Sequence, residues 1–275
     1  MTISSRLKPL YYLVFACITV IVLIPLFLVL FASLKPAAEL AASSPIAIPD
    51  SFYLGNLKTA FIKGDILTGF KNTFILIVVS VVLNMILGTM TAYILNRFDF
   101  RLKKLIFALF TVAMVVPFYT TEVARFQIIK ALGLYNTLYA PTLIYAGTDL
   151  LQIFIYLQFM EKISNQLDES AMMDGASYFR IFRSIIFPLM VPATATLAII
   201  KTVEIMNDMY IPFLYMPAKK LHTLSTALMS FVGERASYWN ELAAAILIIM
   251  LPTVLIYLFF QRYVFAGLMD GAVKG

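Results

Sequence analysis

The sequence predicts an all-α membrane protein: six transmembrane helices, with a helix-turn-helix loop on the cytoplasmic side between the fourth and the fifth. Three observations lead there. Of 275 residues, 61% are hydrophobic and 13% charged, with a mean hydropathy of +0.90. A soluble domain carries about 45–50% apolar and about 25% charged residues. Apolar runs long enough to cross a hydrocarbon core of about 30 Å, which takes roughly 20 helical residues, recur along the chain. The stretch ahead of the fifth run reads as two short helices around a Gly break rather than as a plain loop. This composition excludes an ordinary cytosolic enzyme and a disordered regulator. The net charge of +6 fits basic residues held at a cytoplasmic membrane face, and no nucleic-acid partner is expected. Cys17 lies inside an apolar run and His222 is the one histidine, so neither a disulfide framework nor a His/Cys metal site is expected.

The first run, 10–34, is bracketed by Lys8 and Lys35. It exceeds the roughly 7–15 apolar residues of a signal peptide and reads as an uncleaved span. The second covers 74–95, the third 105–129 and the fourth 138–160. The fifth, 188–211, follows Phe187-Pro188, and the sixth, 242–260, stops at Gln261-Arg262. The segment 36–71 holds Pro, Ala, Ser and Asp, with a short helix expected around 57–63. No repeat or low-complexity tract divides the chain, so 1–275 reads as a single membrane domain. The Lys/Arg distribution places both termini in the cytoplasm. Arg6, Lys8, Lys162, Arg180, Arg183, Arg262 and Lys274 then lie inside, together with Arg97, Arg101, Lys103 and Lys104 of the densest basic loop. The outer loops carry Lys35, Lys58, Lys63, Lys71, Lys130, Lys219, Lys220 and Arg235. Asn84, Gly88 and Ala92 recur every four residues, as in a small-residue packing seam. Pro25, Pro117, Pro192 and Pro252 are kinks that membrane helices tolerate. Tyr238 and Trp239 suit an outer interface, and His222 a solvated loop.

The segment 161–187 is the most informative. A helical stretch, 168–173, is followed by a break at Asp174-Gly175 and a second stretch, 176–186. In that second stretch Tyr178, Phe179, Phe182, Ile185 and Ile186 recur at three- and four-residue steps, which predicts one apolar face for the lipid interface or a partner groove. Asp168, Glu169 and Asp174 cluster at one end, with Arg180 and Arg183 after them.

The run Glu169-Ser170-Ala171-Met172-Met173-Asp174-Gly175-Ala176, with Phe182, Ile185 and Pro188 at fixed spacing after it, resembles the "EAA" signature of ABC importer permeases. That signature reads E-A-A-x-x-D-G-A, five residues, then F-x-x-I-x-L-P. Ser170 stands where the pattern has Ala, and Phe187 where it has Leu. Ala92-Tyr93, Asn96-Arg97-Phe98, the Leu132-Gly133-Leu134-Tyr135-Asn136-Thr137 turn, Asn207-Asp208 and the tail 271–275 are similar to the smaller, six-span permease of the maltose and multiple-sugar type. The resemblance implies a type I importer fold in which 161–187 is a coupling loop seated on an ATPase subunit. The residues carried over to that role are Glu169, Ser170, Ala171, Asp174, Gly175, Ala176, Phe182 and Pro188. Small Ala171 and Ala176 would allow close backbone approach, and Gly175 a turn without a Cβ penalty. Glu169 and Asp174 offer charge near helix ends, while Met172 and Met173 offer contacts that re-pack. The plainer alternative is an interfacial helix with solvated acids.

The chain has no G-x-x-x-x-G-K-[ST] phosphate loop, so the ATPase is expected to be another subunit. The resemblance implies two such subunits using ATP and Mg, no cofactor bound by this chain, a second homologous permease forming a heterodimer, and an extracytoplasmic solute-binding protein. It places the complex in the bilayer of a prokaryotic plasma membrane.

Ionisable residues within spans are costly and usually face a cavity or a partner. Lys201, Glu204 and Asp208 fall on one expected helical face of span five, with Asn207 beside it; Glu122 and Arg125 lie three apart in span three. Either they line a translocation path and hydrogen-bond a solute, or they are structural charge pairs and snorkelling side chains. The expected function is the permease half of an ATP-driven, binding-protein-dependent importer for a carbohydrate, an oligosaccharide above all. Alternatives are a polyamine, sulfate or glycerol phosphate importer, an ion-driven secondary transporter, or a membrane scaffold. A phosphate-bearing solute would call for surplus cationic residues, whereas span five has one Lys against two acids.

Overall fold

A computed structural model describes residues 8–232 and 239–272, with side chains placed as far as 261 except at 118. Arg6, Arg235, Tyr238 and Lys274, the side chain of Arg262, and residues 273–275 of the tail lie outside the described residues. All regular structure among the described residues is helical: α1 Lys8–Leu34, α2 Ala37–Ala42, α3 Gly55–Lys63, α4 Ile66–Arg97, α5 Lys103–Val115, α6 Glu122–Ala131, α7 Tyr139–Ala146, α8 Leu150–Met160, α9 Gln166–Met173, α10 Tyr178–Ile181, α11 Phe187–Leu189, α12 Val191–Asn207, α13 Tyr210–Tyr215, α14 Leu224–Ala227 and α15 Trp239–Ala272. A π-helical turn, Phe182–Ile186, joins α10 to α11.

Three helical stretches are continuous and apolar enough to cross a bilayer by themselves: α1, α4 and the Trp239–Gln261 part of α15. The runs 105–129, 138–160 and 188–211, each expected as one helix, are broken. α5 ends at Val116-Pro117, where proline withdraws an N–H and disfavours helix in the residue before it. α7 and α8 meet at 47°, because Gly147 leaves the helix and the Asp149 carboxylate starts a new one by accepting from the Gln152 N–H at 2.8 Å. The stretch Tyr178–Leu189 meets α12 at 73°, with Pro192 in the first turn of the new helix. α12 stops at Asn207, and Asp208 is extended (φ −73°, ψ 118°). Asp208 therefore caps the end of α12 and does not extend the Lys201/Glu204 face by another turn. Hydropathy averaged over a window does not register a two-residue break.

The chain forms two compact units. One comprises residues 1–67 and 226–252. In it α1 is exposed along nearly its whole length and buries Ser33 alone, as suits a helix clothed by lipid or by another chain. At its end the buried Asn56 amide donates to the carbonyls of Ser33 (2.9 Å) and Lys35 (2.8 Å), which have no partner within the helix. The Asn56 oxygen accepts from Asn240 (2.8 Å). Buried Lys35 donates to Ser43 Oγ (2.9 Å) and the Ser44 carbonyl (3.1 Å). Ala60, Phe231, Ala244 and Ala245 form a small core, flanked by the Lys63–Glu241 ion pair at 2.8 Å.

The other unit comprises 68–225 and 253–275, around a core that includes Leu76, Met85, Tyr93, Tyr156, Met160, Ile181, Ile186, Met190 and Tyr215. α4 runs through it as a polar spine. Asn72 donates to the carbonyls of Lys220 (3.0 Å) and His222 (2.9 Å), and Thr73 Oγ1 accepts from the Leu224 N–H (2.9 Å). Asn84 donates to the carbonyls of Gly147 (2.6 Å), Tyr145 (3.2 Å) and Ala146 (3.4 Å), at the α7–α8 break, and accepts from Gln152 Nε2 (2.8 Å). Gly88 lets α8 approach: a Cβ there would lie 2.6 Å from Gln152 Nε2 and 3.0 Å from the Tyr156 ring. Ala92, one turn on, is fully buried.

Candidate functional sites: a helix-turn-helix loop and a polar cleft

The segment between α8 and α12 folds as helix, turn, helix. Ile163 and Asn165 lead into α9. The turn falls at Asp174-Gly175, where Gly175 has φ +77°, a left-handed backbone that side chains resist, and open space surrounds the position of its missing Cβ. The turn closes with the Ala176 N–H donating to the Ala171 carbonyl (2.9 Å), and Ser177 caps α10 by accepting from the Arg180 N–H.

This loop has two faces. Asp168, Ala171, Ile181, Phe182 and Ile186 are buried against the chain's own core. Glu169, Ser170, Met172, Met173, Asp174 and Gly175 are exposed, Met173 at 88%, and Ala176 is half-buried. Ala171 and Phe182 thus serve packing within this chain, and Pro188 sits exposed in α11. The second stretch does not keep all its apolar residues on one side. Phe179 and Tyr178 stand exposed while Phe182 and Ile186 turn inward, with a π turn at Phe182–Ile186.

Arg97, the last residue of α4, holds the start of α9. Its Nε lies 2.6 Å from Asp168 Oδ2, and the two side chains are 9% and 10% exposed. One terminal nitrogen donates to the Ile163 carbonyl at 2.8 Å, the other to Asn165 Oδ1 and to Asn96 Oδ1. Burial pushes the Asp168 carboxyl above the usual carboxylate range; the Arg97 charge opposes this in part. Sequence reasoning counted Arg97 as a topology charge and as part of the Asn96-Arg97-Phe98 resemblance, without a partner. The next residue, Phe98, meets Tyr93 and Tyr178 edge-on, at ring separations of 5.7 and 5.0 Å.

A cleft of about 840 Å³ opens between α6, α7, the α7–α8 break, α12 and α13. It brings together Arg125, Lys201, Glu204 and Asp208 from the predicted set. Lys201 and Glu204 form an ion pair at 3.0 Å, with Lys201 largely covered and Glu204 more than half exposed. Asp208 accepts from Tyr145 OH (2.8 Å) and from the N–H groups of Tyr210 (2.7 Å) and Ile211 (3.2 Å). Glu122 is not on the cleft wall. It is buried, accepting from Tyr215 OH (2.5 Å) and Arg125 (3.0 Å). Asn207 is also off the wall and donates back to the Val203 carbonyl. Tyr119, Thr121, Tyr145, Asp149 and Tyr210 line the cleft and were not singled out from the sequence. The signal for them is the breaks at Pro117, Gly147 and Asp208, since irregular backbone at membrane depth is tolerated where it lines a cavity. The wall carries two cations, Arg125 and Lys201, against three carboxylates, Asp149, Glu204 and Asp208, with exposed tyrosine faces at 119 and 210. A second cleft of about 600 Å³ is lined mainly by Ile106, Leu109, Phe110, Met114, Leu150 and Leu151, with Thr148 and Asp149 as its polar groups.

Comparison with known proteins gives the family and the fold. A family model described as "Binding-protein-dependent transport system inner membrane component" matches residues 84–269. The chain is 35% identical, over all of its length and 98% of the relative's, to the melibiose/raffinose/stachyose import permease protein MelC of Bacillus subtilis. It is 33% identical, over 91% of each chain, to the probable starch degradation products transport system permease protein AmyC of Thermoanaerobacterium thermosulfurigenes. The fold is that of a chain in a bacterial ABC transporter involved in the import of the acidic polysaccharide alginate, with a TM-score of 0.81 at 20% identity over 96% of this chain and 99% of that one.

Proposed function

The chain belongs to the family of binding-protein-dependent transport system inner membrane components, and from that premise we propose that it forms one half of the translocation path of an ATP-driven importer for a neutral oligosaccharide. It is a multi-pass membrane subunit, and ATP hydrolysis belongs to other subunits of such systems. The oligosaccharide reading is supported by MelC and AmyC, which are named for the import of melibiose, raffinose and stachyose and of starch degradation products. The observation that carries the neutral-sugar assignment is the cleft wall. An excess of carboxylates repels an acidic polymer of the alginate kind, while carboxylates and tyrosines suit sugar hydroxyls and ring faces.

The loop's exposed face supports the ATPase partner. Glu169, Met172, Met173, Asp174 and Phe179 present acidic and apolar groups that nothing in the described chain covers, fitting a groove on a separate ATPase that uses ATP and Mg. Two such ATPases, a second homologous permease and an extracytoplasmic binding protein complete the assembly. Six crossings, counting each bent pair as one span, and cytoplasmic termini agree with the basic loop at 97–104. Hydrolysis in the partner would rock α9 and α10 and switch the cleft between outward and inward access.

The test is purification from native membranes followed by reconstitution. Recovery of an ATPase with phosphate-loop motifs and a second multi-span permease, with ATP-dependent uptake of a neutral oligosaccharide, is the expected result. Recovery of this chain alone, transporting without ATP, would overturn the assignment in favour of an ion-driven carrier. Preferential uptake of a uronate oligomer would overturn the neutral-sugar part.

A further inference from the structure

Two of the loop's acids sit side by side yet face opposite ways. Glu169 is exposed on the side proposed to meet the ATPase, and Asp168 is buried against α4, where it pairs with Arg97. The carboxylate of Asp168 has no hydrogen-bond partner beyond that ion pair. Arg97 reaches three points on the entry to α9: the Ile163 carbonyl, Asn165 and Asp168. A planar guanidinium held at three points fixes direction as well as distance, which an ammonium does not. The other tie between α4 and the loop is aromatic, Phe98 on Tyr178 and Tyr93 on Phe182 at 5.6 Å, and such contacts slide.

Chain connectivity sets what each tie transmits. A displacement of α9 reaches α12 through the backbone, by way of α10 and α11. It reaches α4 through the Arg97 fork. α4 in turn holds the α7–α8 break through Asn84, and that break forms one wall of the cleft. We propose that the Arg97–Asp168 pair is the joint that makes α4, and with it the α7–α8 wall of the cleft, follow the coupling loop. Arg97 is a positioning residue that touches neither sugar nor nucleotide. The joint rests on the reading that α9 docks on an ATPase.

The experiment uses the complete importer reconstituted in liposomes with its binding protein, comparing the unaltered complex with Arg97→Lys, Arg97→Gln, Asp168→Asn and the double variant Arg97→Gln/Asp168→Asn. The readout is sugar moved per ATP hydrolysed, together with recovery of the ATPase on purification. Arg97→Gln should assemble and hydrolyse ATP while sugar per ATP falls roughly tenfold, within the range spanned by coupling between sites. Arg97→Lys should recover part of that ratio, and the double variant should fall no further than Arg97→Gln alone, as expected when two residues act as one joint. An unchanged ratio in Arg97→Gln overturns the proposal. Loss of ATPase recovery in both Arg97→Lys and Asp168→Asn overturns it too, because the pair would then serve assembly. If the unaltered chain recruits no ATPase, the docking reading itself has failed, which is a different result.

Discussion

Truncating Asn84 to alanine should destabilise the protein by about 3 kcal/mol, a figure built from its contacts. Its amide nitrogen carries two protons: one makes the short bond to the Gly147 carbonyl at 2.6 Å, the other is shared between Tyr145 at 3.2 Å and Ala146 at 3.4 Å. Its oxygen takes the Gln152 proton at 2.8 Å. Alanine removes all three bonds and leaves helix-end carbonyls exposed at membrane depth. An interhelical hydrogen bond in a membrane is worth about 0.6–2 kcal/mol and an orphaned buried polar group costs about 1–3 kcal/mol, so three bonds give about 3 kcal/mol. On the scale of a domain of this size, at about 2–4 °C per kcal/mol, the midpoint should fall by roughly 6–12 °C. Thermal unfolding of the detergent-purified complex, followed by intrinsic fluorescence, measures it. Asn84→Gln is the control, since it keeps the amide and changes the reach. A fall under about 2 °C in Asn84→Ala would refute the reasoning and mean that the broken fourth span is held by packing alone.

Other expected outcomes follow from the loop and the cleft. Gly175→Ala should cost about 1–2 kcal/mol from the left-handed backbone alone, because no atom crowds the position. Gly175→Val should stay in the membrane but lose uptake more than ATPase activity, and normal uptake would count against the coupling role. The raised Asp168 pKa sets a pH dependence. A carboxyl whose folded value is raised favours the protonated form in the fold, so its contribution is complete at low pH and is lost as pH rises through the folded value. Asp168→Asn should therefore flatten this pH dependence, the unaltered protein gaining thermal stability relative to the variant as pH falls through the carboxylate range; thermal midpoints from pH 7.5 to 4.5 decide it. Lys201→Met removes a cleft cation whose partner Glu204 is solvated, so stability should move by less than about 1 kcal/mol while the concentration of sugar for half-maximal uptake rises. An unchanged uptake curve would remove Lys201 from the path.

What the sequence disclosed and what it concealed differ for physical reasons. Hydropathy located the continuous apolar helices α1, α4 and α15 because burial in lipid is a bulk property of twenty residues. The turn at Gly175 was legible because a left-handed residue leaves a chemical mark. The breaks near Pro117 and Pro192 were legible only as kinks and the one at Gly147 not at all, since one or two residues barely alter a window average. Asp208 was misplaced for the same reason: a period of 3.6 projects a helix past its true end, and the residue proves to be a cap. Arg97 and Asn84 were seen but read too simply, the one as a topology charge and motif residue, the other as part of a small-residue seam. Their significance lies in partners 61 to 71 positions away, which no local pattern encodes.

The polar grips on α4 also bear on how the protein is made. Asn72, Thr73 and Asn84 all precede the backbone groups they satisfy, at 220–224 and 145–147. α1 is unbroken and exposed along nearly all its length, needing the later Asn56 only at its very end, so its apolar body can pass from the insertion machinery into lipid as soon as it emerges. The fourth span cannot, for it carries exposed carbonyls at its break until it finds a donor. By the time that break leaves the ribosome the donor already waits in the membrane, so the order of synthesis supplies the broken fourth span with its partner in advance and keeps naked backbone out of oil.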